Sequence, residues 1–222
     1  MNVELISWTQ PNPEFASKFP YMSPQEYIGY IARVSNPSNQ ANLDTSEKLL
    51  RYCVKKKHWS VFEQFDMTFS IEVTRDIGRQ ILRHRSFTFQ EFSQRYADPT
   101  DMGFTKKEAR LQDKKNRQNS IQIDDEELQK NWDKRQQYVI DFAKDQYKWA
   151  IENNIAKEVA RVVLPEGLTM SKMYMKGNLR SWIHYCQLRT GPETQKEHRE
   201  VAQAIWNILK NKNMFPFLEE IN

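Results

Sequence analysis

The segment Asp66 to Thr74 constrains the fold most, because Met67, Phe69, Ile71 and Val73 alternate with Thr68, Ser70, Glu72 and Thr74. A period of two places the apolar side chains on one face and predicts a half-buried strand. The period then changes at once. Asp76 to Leu82, with Ile77 and Ile81 four apart, predicts a short helix on which Gln80 and Arg83 can point one way.

From the end of that strand-helix unit hangs a dense polar cluster: Arg83-His84-Arg85, then Glu91, Ser93, Arg95 and Tyr96. Guanidinium groups offer planar, multi-donor recognition of phosphate and carboxylate. Phe87, Phe89 and Phe92 lie between them. Their faces suit a flat ring, and their spacing equally allows core packing for at least one. The combination suggests a site for a phosphorylated, ring-bearing ligand. The plainer alternative is a basic loop solvated at the surface.

The 222 residues are enough to bury a sizeable core, in one domain or two small ones. No run of eighteen apolar residues predicts a membrane span, and Met1 to Ile6 does not read as a signal peptide. Cys53 and Cys186 lack CxxC spacing, so both are expected as reduced thiols packed like small apolar groups in a cytoplasmic protein. The four histidines, 58, 84, 184 and 198, show neither helical pairing nor zinc spacing, so no metal site is expected. With six glycines and no GxGxxG loop, a Rossmann-type dinucleotide site is not expected either. The net charge of +4 suits anionic small molecules as well as nucleic acid.

Val3 to Thr9 reads as a first strand, and Pro24 to Ser35 as a helix capped by Ser23. Leu43 to Lys57 reads as a helix opened by Asp44 or Thr45. Asp101 to Asp124 is charged and poor in apolar residues, an exposed and partly mobile excursion. Glu126 to Asn153 predicts a long amphipathic helix whose apolar positions are Trp132, Tyr138, Ile140 to Phe142 and Tyr147. Lys157 to Val163 is helical and stopped by Pro165; Leu168 to Met175 is strand; Asn178 to Leu188 and Thr194 to Lys210 are helices.

Arg83-His84-Arg85, seven residues, Ser93, then Arg95-Tyr96 resembles the signature of flavin-dependent thymidylate synthases. Ala32 to Ser35 is similar to the family's early ARVS segment, and His58 to Glu63 to its H-x-S/T-x-F-E segment. Val159 to Pro165, Asn178 to Ser181, Leu188-Arg189, Gln195 and Glu197 resemble its later blocks in the same order. The resemblance spans roughly residues 24 to 215.

It implies an α+β fold in a single catalytic domain, 1–222, with a central, mostly antiparallel sheet flanked by long helices. It implies reductive methylation of deoxyuridine monophosphate (dUMP), with methylenetetrahydrofolate as one-carbon donor and FAD reduced by NADPH. It also implies a homotetramer with shared active sites, and no nucleic-acid or membrane partner. Carried over residue by residue, it makes Arg189 the catalytic cation and gives the nucleotide Gln80, Arg83, Glu91, Ser93, Gln94, Arg95, Arg161 and Arg189. It gives FAD Ser60, Arg83, His84, Arg85, Glu91, Asn178, Arg180 and His184, the last standing where many relatives have asparagine. His58 could position flavin or folate, or be structural. A serine hydroxyl needs an adjacent base to attack, and the resemblance implies no covalent bond between enzyme and nucleotide, so Ser93 is assigned to binding rather than attack.

For Arg189 the competing role is a helix-terminal arginine bonding the last carbonyls. For the whole chain the rivals are a nucleic-acid module, which its Arg/Phe-rich segment and Lys106 to Arg117 would serve, and a flavin-binding relative without synthase activity.

Overall fold

The computed structural model describes residues 1–219. Strand β1 (Asn2–Trp8) is followed by helices α1 (Pro13–Lys18), α2 (Pro24–Ala32) and α3 (Ser46–Lys55). Strand β2 (Asp66–Thr74), helix α4 (Arg75–Ile81) and strand β3 (Thr88–Glu91) form the next unit. Strands β4 (Arg110–Gln112) and β5 (Ser120–Gln122) precede α5 (Glu126–Glu152) and α6 (Lys157–Ala160). Strand β6 (Met170–Asn178), α7 (Leu179–Arg189) and α8 (Lys196–Leu209) complete the fold.

The main sheet has the order β1-β2-β6-β3, and every pairing in it is antiparallel. Its register explains the alternation in β2. Phe69 pairs with Met175, Ile71 with Met173 and Met67 with Gly177, so one face is continuous hydrocarbon. The opposite face is a polar ladder, with Lys172 bonded to Glu72 at 3.0 Å and Lys176 facing Asp66 at 3.7 Å. An antiparallel sheet with one wet face keeps this clean alternation.

The apolar face packs with Ile77 and Ile81 of α4, Trp182 and Ile183 of α7, and Val201, Ile205 and Leu209 of α8. Ile28, Leu50, Cys53 and Phe215, Phe217 and Leu218 join the same cluster. Both cysteines are free and buried, as the sequence suggested. No helix among the described residues is long and apolar enough to cross a membrane.

Several expectations need correction. The helix read over Pro24 to Ser35 keeps its Ser23–Glu26 capping box but closes at Ala32. Arg33 leaves it, buried, to donate to Ser46 Oγ at 3.3 Å and Thr45 Oγ1 at 2.7 Å. Thr45 is the N-cap of α3, yet its hydroxyl makes no cap bond. The strand read from Leu168 starts at Met170, because Leu168 and Thr169 form a turn on the Pro165 carbonyl. Helix α1, capped by Asn12, and strand β3 were not foreseen.

The largest corrections concern the charged excursion and the long helix. Residues 107 and 109 are fastened to α5 by two glutamine side chains, each behaving like a strand partner. Gln136 accepts from Lys107 N and donates to Lys107 O, both at 2.8 Å. Gln129 does the same for Ala109 at 2.8 and 2.9 Å. The segment also folds into the β4–β5 hairpin. On α5, Ile140 and Tyr147 are buried, but Tyr138 is 73% and Phe142 69% exposed. The inward stripe is Gln136, Ile140, Ala143, Tyr147 and Ala150. It closes a small separate cluster with Ala160, Leu164 and Phe104 rather than covering the sheet.

Candidate active site

The loop between α4 and β3 is anchored by one aromatic side chain. Phe87, 7% exposed, lies edge-on to Trp182 with ring centroids 4.6 Å apart. It also rests on the backbone of Gly177, where an added Cβ would sit 2.4 Å from the ring. Of the three phenylalanines, this one is core; Phe89 is half-buried against the same cluster. The anchored loop presents Arg83 and Arg85 as exposed residues, and neither guanidinium has a partner among the described residues.

His84, between them, turns inward. Its ring meets Tyr185 edge-on at 4.9 Å, and its Nε2 accepts from Arg189 Nε at 2.9 Å. Burial and the Arg189 charge lower its pKa to about 4. His84 is therefore a neutral acceptor at ordinary pH, with its proton on Nδ1. Arg189, the last residue of α7, is thus held by His84, and its terminal amino groups stay unpaired among the described residues.

The other sequence-derived nucleotide ligands are held by separate sets of partners. Gln80 lies beside α8, bonded to Gln195 at 2.8 Å and to His198 at 3.3 Å. Glu91 accepts from Ser171 Oγ at 3.4 Å and faces Arg75 at 3.7 Å. Arg75, only 5% exposed, also bonds Glu166 at 3.1 Å. Nothing in the sequence pattern singled out this buried arginine. Arg95 and Arg161 converge on Glu158, one on its carboxylate at 3.4 Å, the other on its carbonyl at 3.3 Å. The Ser93 hydroxyl accepts from Arg95 N at 3.4 Å. Gln94 is buried, and its Nε2 has no partner among the described residues.

The remaining flavin candidates line the first half of α7. Asn178 caps the helix by accepting from Ser181 N at 2.9 Å, and Arg180 pairs with Glu63. His184 meets Trp59 edge-on at 4.6 Å, and burial, then Arg180, lowers its pKa. Ser60 is exposed on the adjoining turn, Trp59–Gln64. His58, also exposed, contacts the Tyr52 ring at 6.0 Å. At about 1.5 Å per residue, Arg180 and Arg189 lie roughly 13 Å apart along the helix. That separation suits a ligand with two distant polar ends.

A cavity of about 250 Å³ lies near Ile77, Met170, Lys107, Glu108 and Glu197, and none of these candidates lines it. The candidate residues instead occupy open surface along α7 and the Phe87 loop. No group of three or more His, Cys, Asp or Glu among the described residues could hold a metal ion.

The sequence profile of a family described as "Thymidylate synthase complementing protein" matches residues 19–216. The chain is 48% identical over 204 residues to the flavin-dependent thymidylate synthase of Synechocystis sp., covering 92% of each chain. It is 46% identical over 204 residues to the probable flavin-dependent thymidylate synthase of Paramecium bursaria Chlorella virus 1, covering 92% of this chain and 91% of the relative. The crystal structure of the UMP/dUMP methylase PolB from Streptomyces cacaoi, bound with 5-Br UMP, superposes with a TM-score of 0.76. It covers 97% of this chain and 90% of PolB at 24% identity, a likeness that speaks for the fold.

Proposed function

The chain belongs to the flavin-dependent thymidylate synthase family, and we propose that the Arg189–His84 pair is the centre at which it methylates dUMP to thymidine monophosphate. The enzyme is a methyltransferase that depends on a flavin. In this reading residues 1–222 work as one catalytic domain, methylenetetrahydrofolate donates the one-carbon unit and NADPH is the reductant.

The single observation that carries the reading is the hydrogen bond from Arg189 Nε to neutral His84. It fixes a guanidinium while leaving its terminal donors free. Uracil C5 is a poor nucleophile until electron density enters the ring. A permanent cation beside N3 and an exocyclic oxygen stabilises the enolate-like form that attacks the one-carbon unit. Arg95 and Arg161, brought together at Glu158, supply the phosphate donors. The exposed Arg95–Glu158 pair is weakly held and can exchange its carboxylate for phosphate.

The donor set also fits FAD. Arg83 and Arg85 are unpaired among the described residues, and the α7 residues extend the site toward Arg180. Arg83, His84, Arg85, Glu91, Ser60, Asn178, Arg180 and His184 would hold it. Bound there and reduced by NADPH, the flavin would supply the hydride that completes the methyl group. Because these residues lie on open surface, a homotetramer with shared sites completes the enclosure in this reading. The exposed Tyr138, Phe142 and Trp149 of α5 are surfaces available to such copies.

The test is the visible spectrum of the purified protein with equimolar FAD, titrated with dUMP and followed by methylation with the folate and NADPH. A bound-flavin band that shifts saturably, with thymidine monophosphate formed, is expected. Flavin binding without product would leave only an inactive relative. A free-flavin spectrum unchanged by dUMP would overturn the reading. Arg189→Ala should keep flavin and lose most methylation, whereas Arg85→Ala should weaken flavin retention.

A further inference from the structure

Behind Gln80 runs a file of hydrogen bonds whose direction is fixed at one end. Glu197 accepts from Arg110 Nη2 at 2.7 Å and from Gln195 Nε2 at 2.9 Å. Burial alone would raise its carboxyl pKa, but its own backbone amide, Arg110 and Gln195 together hold it below the ordinary value. An ionised carboxylate can only accept. Gln195 must therefore turn its NH₂ toward Glu197 and its oxygen toward Gln80. Gln80 Nε2 donates to that oxygen at 2.8 Å, which leaves Gln80 Oε1 facing His198 Nδ1 at 3.3 Å. His198 must then carry its proton on Nδ1, and its Nε2 accepts from Tyr185 OH at 3.1 Å.

His198 is 1% exposed, and burial, with Arg189 and His84 nearby, lowers its pKa to about 3. Burial also raises the Tyr185 pKa, keeping its hydroxyl a donor. Each link is thus in the protonation state the direction demands.

We propose that Arg110, Glu197, Gln195, His198 and Tyr185 are positioning residues for the nucleotide site, forming a one-way relay that locks the Gln80 amide in a single orientation. The relay occupies one Nε2 hydrogen and one Oε1 lone pair of Gln80. One donor and one acceptor remain for the ligand, and neither can exchange places by an amide flip. The far end is Arg110 in β4, so the charged excursion between residues 101 and 124 sets the orientation of a ligand-binding side chain. This inference rests on Gln80 being a nucleotide ligand.

The experiment combines ¹⁵N spectra of histidine-labelled full-chain protein with dUMP kinetics. His198 is assigned by its loss in His198→Asn. In the wild type, His198 should be the neutral Nδ1–H tautomer from pH 5 to 8. In Glu197→Gln the terminal anion is gone, and both tautomers should appear. Its KM for dUMP should rise roughly fivefold or more while kcat stays within about twofold. Gln195→Leu, which cuts the link between Glu197 and Gln80, should mix the tautomers in the same way and serves if Glu197→Gln does not fold. A His198 protonated on Nε2 or on both nitrogens in the wild type overturns the relay. So does a Glu197→Gln protein with unchanged tautomer and KM. A wild type that shows the expected tautomer yet neither binds nor turns over dUMP would instead overturn the proposed function.

Discussion

The sheet core and the α5 arm are held together by different physics. The sheet core is hydrocarbon: Phe69, Met175, Trp182 and Ile205 are fully buried in one cluster that draws on seven helices and strands. The 27-residue helix of the arm buries a thin apolar stripe, Ile140, Ala143, Tyr147 and Ala150, and Tyr147 and Ala150 close a small cluster with Ala160 and Leu164. Toward its N-terminus the helix is fastened by amides and charges: Gln129 and Gln136 on the backbone of Ala109 and Lys107, with Lys106 on Asp133 at 2.8 Å between them. Apolar burial is non-directional and cooperates across the whole cluster. Polar fastening is local, and each pair opens by itself to water. The core should therefore unfold as a unit, and the arm should open without it.

The largest expected effect tests the core side of that contrast. Trp182→Ala removes a fully buried indole that packs on Phe69 at 4.7 Å and donates to the Gly177 carbonyl at 3.0 Å. Destabilisation of about 3–5 kcal/mol is expected. It should appear as one shifted denaturant midpoint for every spectroscopic probe of the core. Separate transitions for two probes within the core would break the picture of a cooperative core.

Acid should weaken the core more than the arm. His84 and His198 have pKa values near about 4 and about 3, below the ordinary histidine value. The unfolded chain binds protons first, so their contribution is complete above roughly pH 6.5 and is lost as pH falls toward those lower values. The melting temperature should drop across that window. His198→Asn should flatten the drop, and an unchanged profile in that variant would count against the assignment.

Gln136→Ala tests the arm. It strands both polar groups of Lys107, at a local cost of about 1–3 kcal/mol. Faster hydrogen exchange at residues 107 to 110 is expected, with the global melting temperature nearly constant. A large fall in global stability would mean that the arm is part of the core after all.

The smallest expected effect compares two helix ends. Helices α3 and α5 both close through left-handed residues, Lys57 at φ 59° and Asn154 at φ 59°. Asparagine tolerates that conformation and lysine less so. Lys57→Gly should raise stability by about 0.5–1 kcal/mol, and Asn154→Gly by less. Equal gains in thermal melts would show that the two ends are equivalent.

What could be read in the sequence follows the same division. The strand at 66–74 and the helices of the core announce themselves because apolar burial imposes a period of 2 or 3.6. The arm offers no such pattern. Gln129 and Gln136 are ordinary polar residues until Lys107 and Ala109 lie beside them, so the excursion read as loose chain. Tyr138 and Phe142 misled in the opposite sense, since apolar character alone does not say which face of a helix is buried. At the site, motif spacing brought forward Arg189 and His84, which the structure pairs. It could not bring forward Arg75, Tyr185 or His198, whose partners Glu166, His84 and Gln80 lie far along the chain. Those residues support others, and support depends on long-range contact, which has no local signature.

The absent Cβ of Gly177 acts as a datum for the site loop. Phe87 registers the Arg83–Arg85 loop against main chain, whereas Met173 and Met175 of the same cluster are flexible filler. Lineages can exchange those methionines for other apolar residues without shifting the loop's zero point. Positions 87 and 177 have no such freedom: a methyl group gained at one must be matched by volume surrendered at the other, and the two should drift only as a pair.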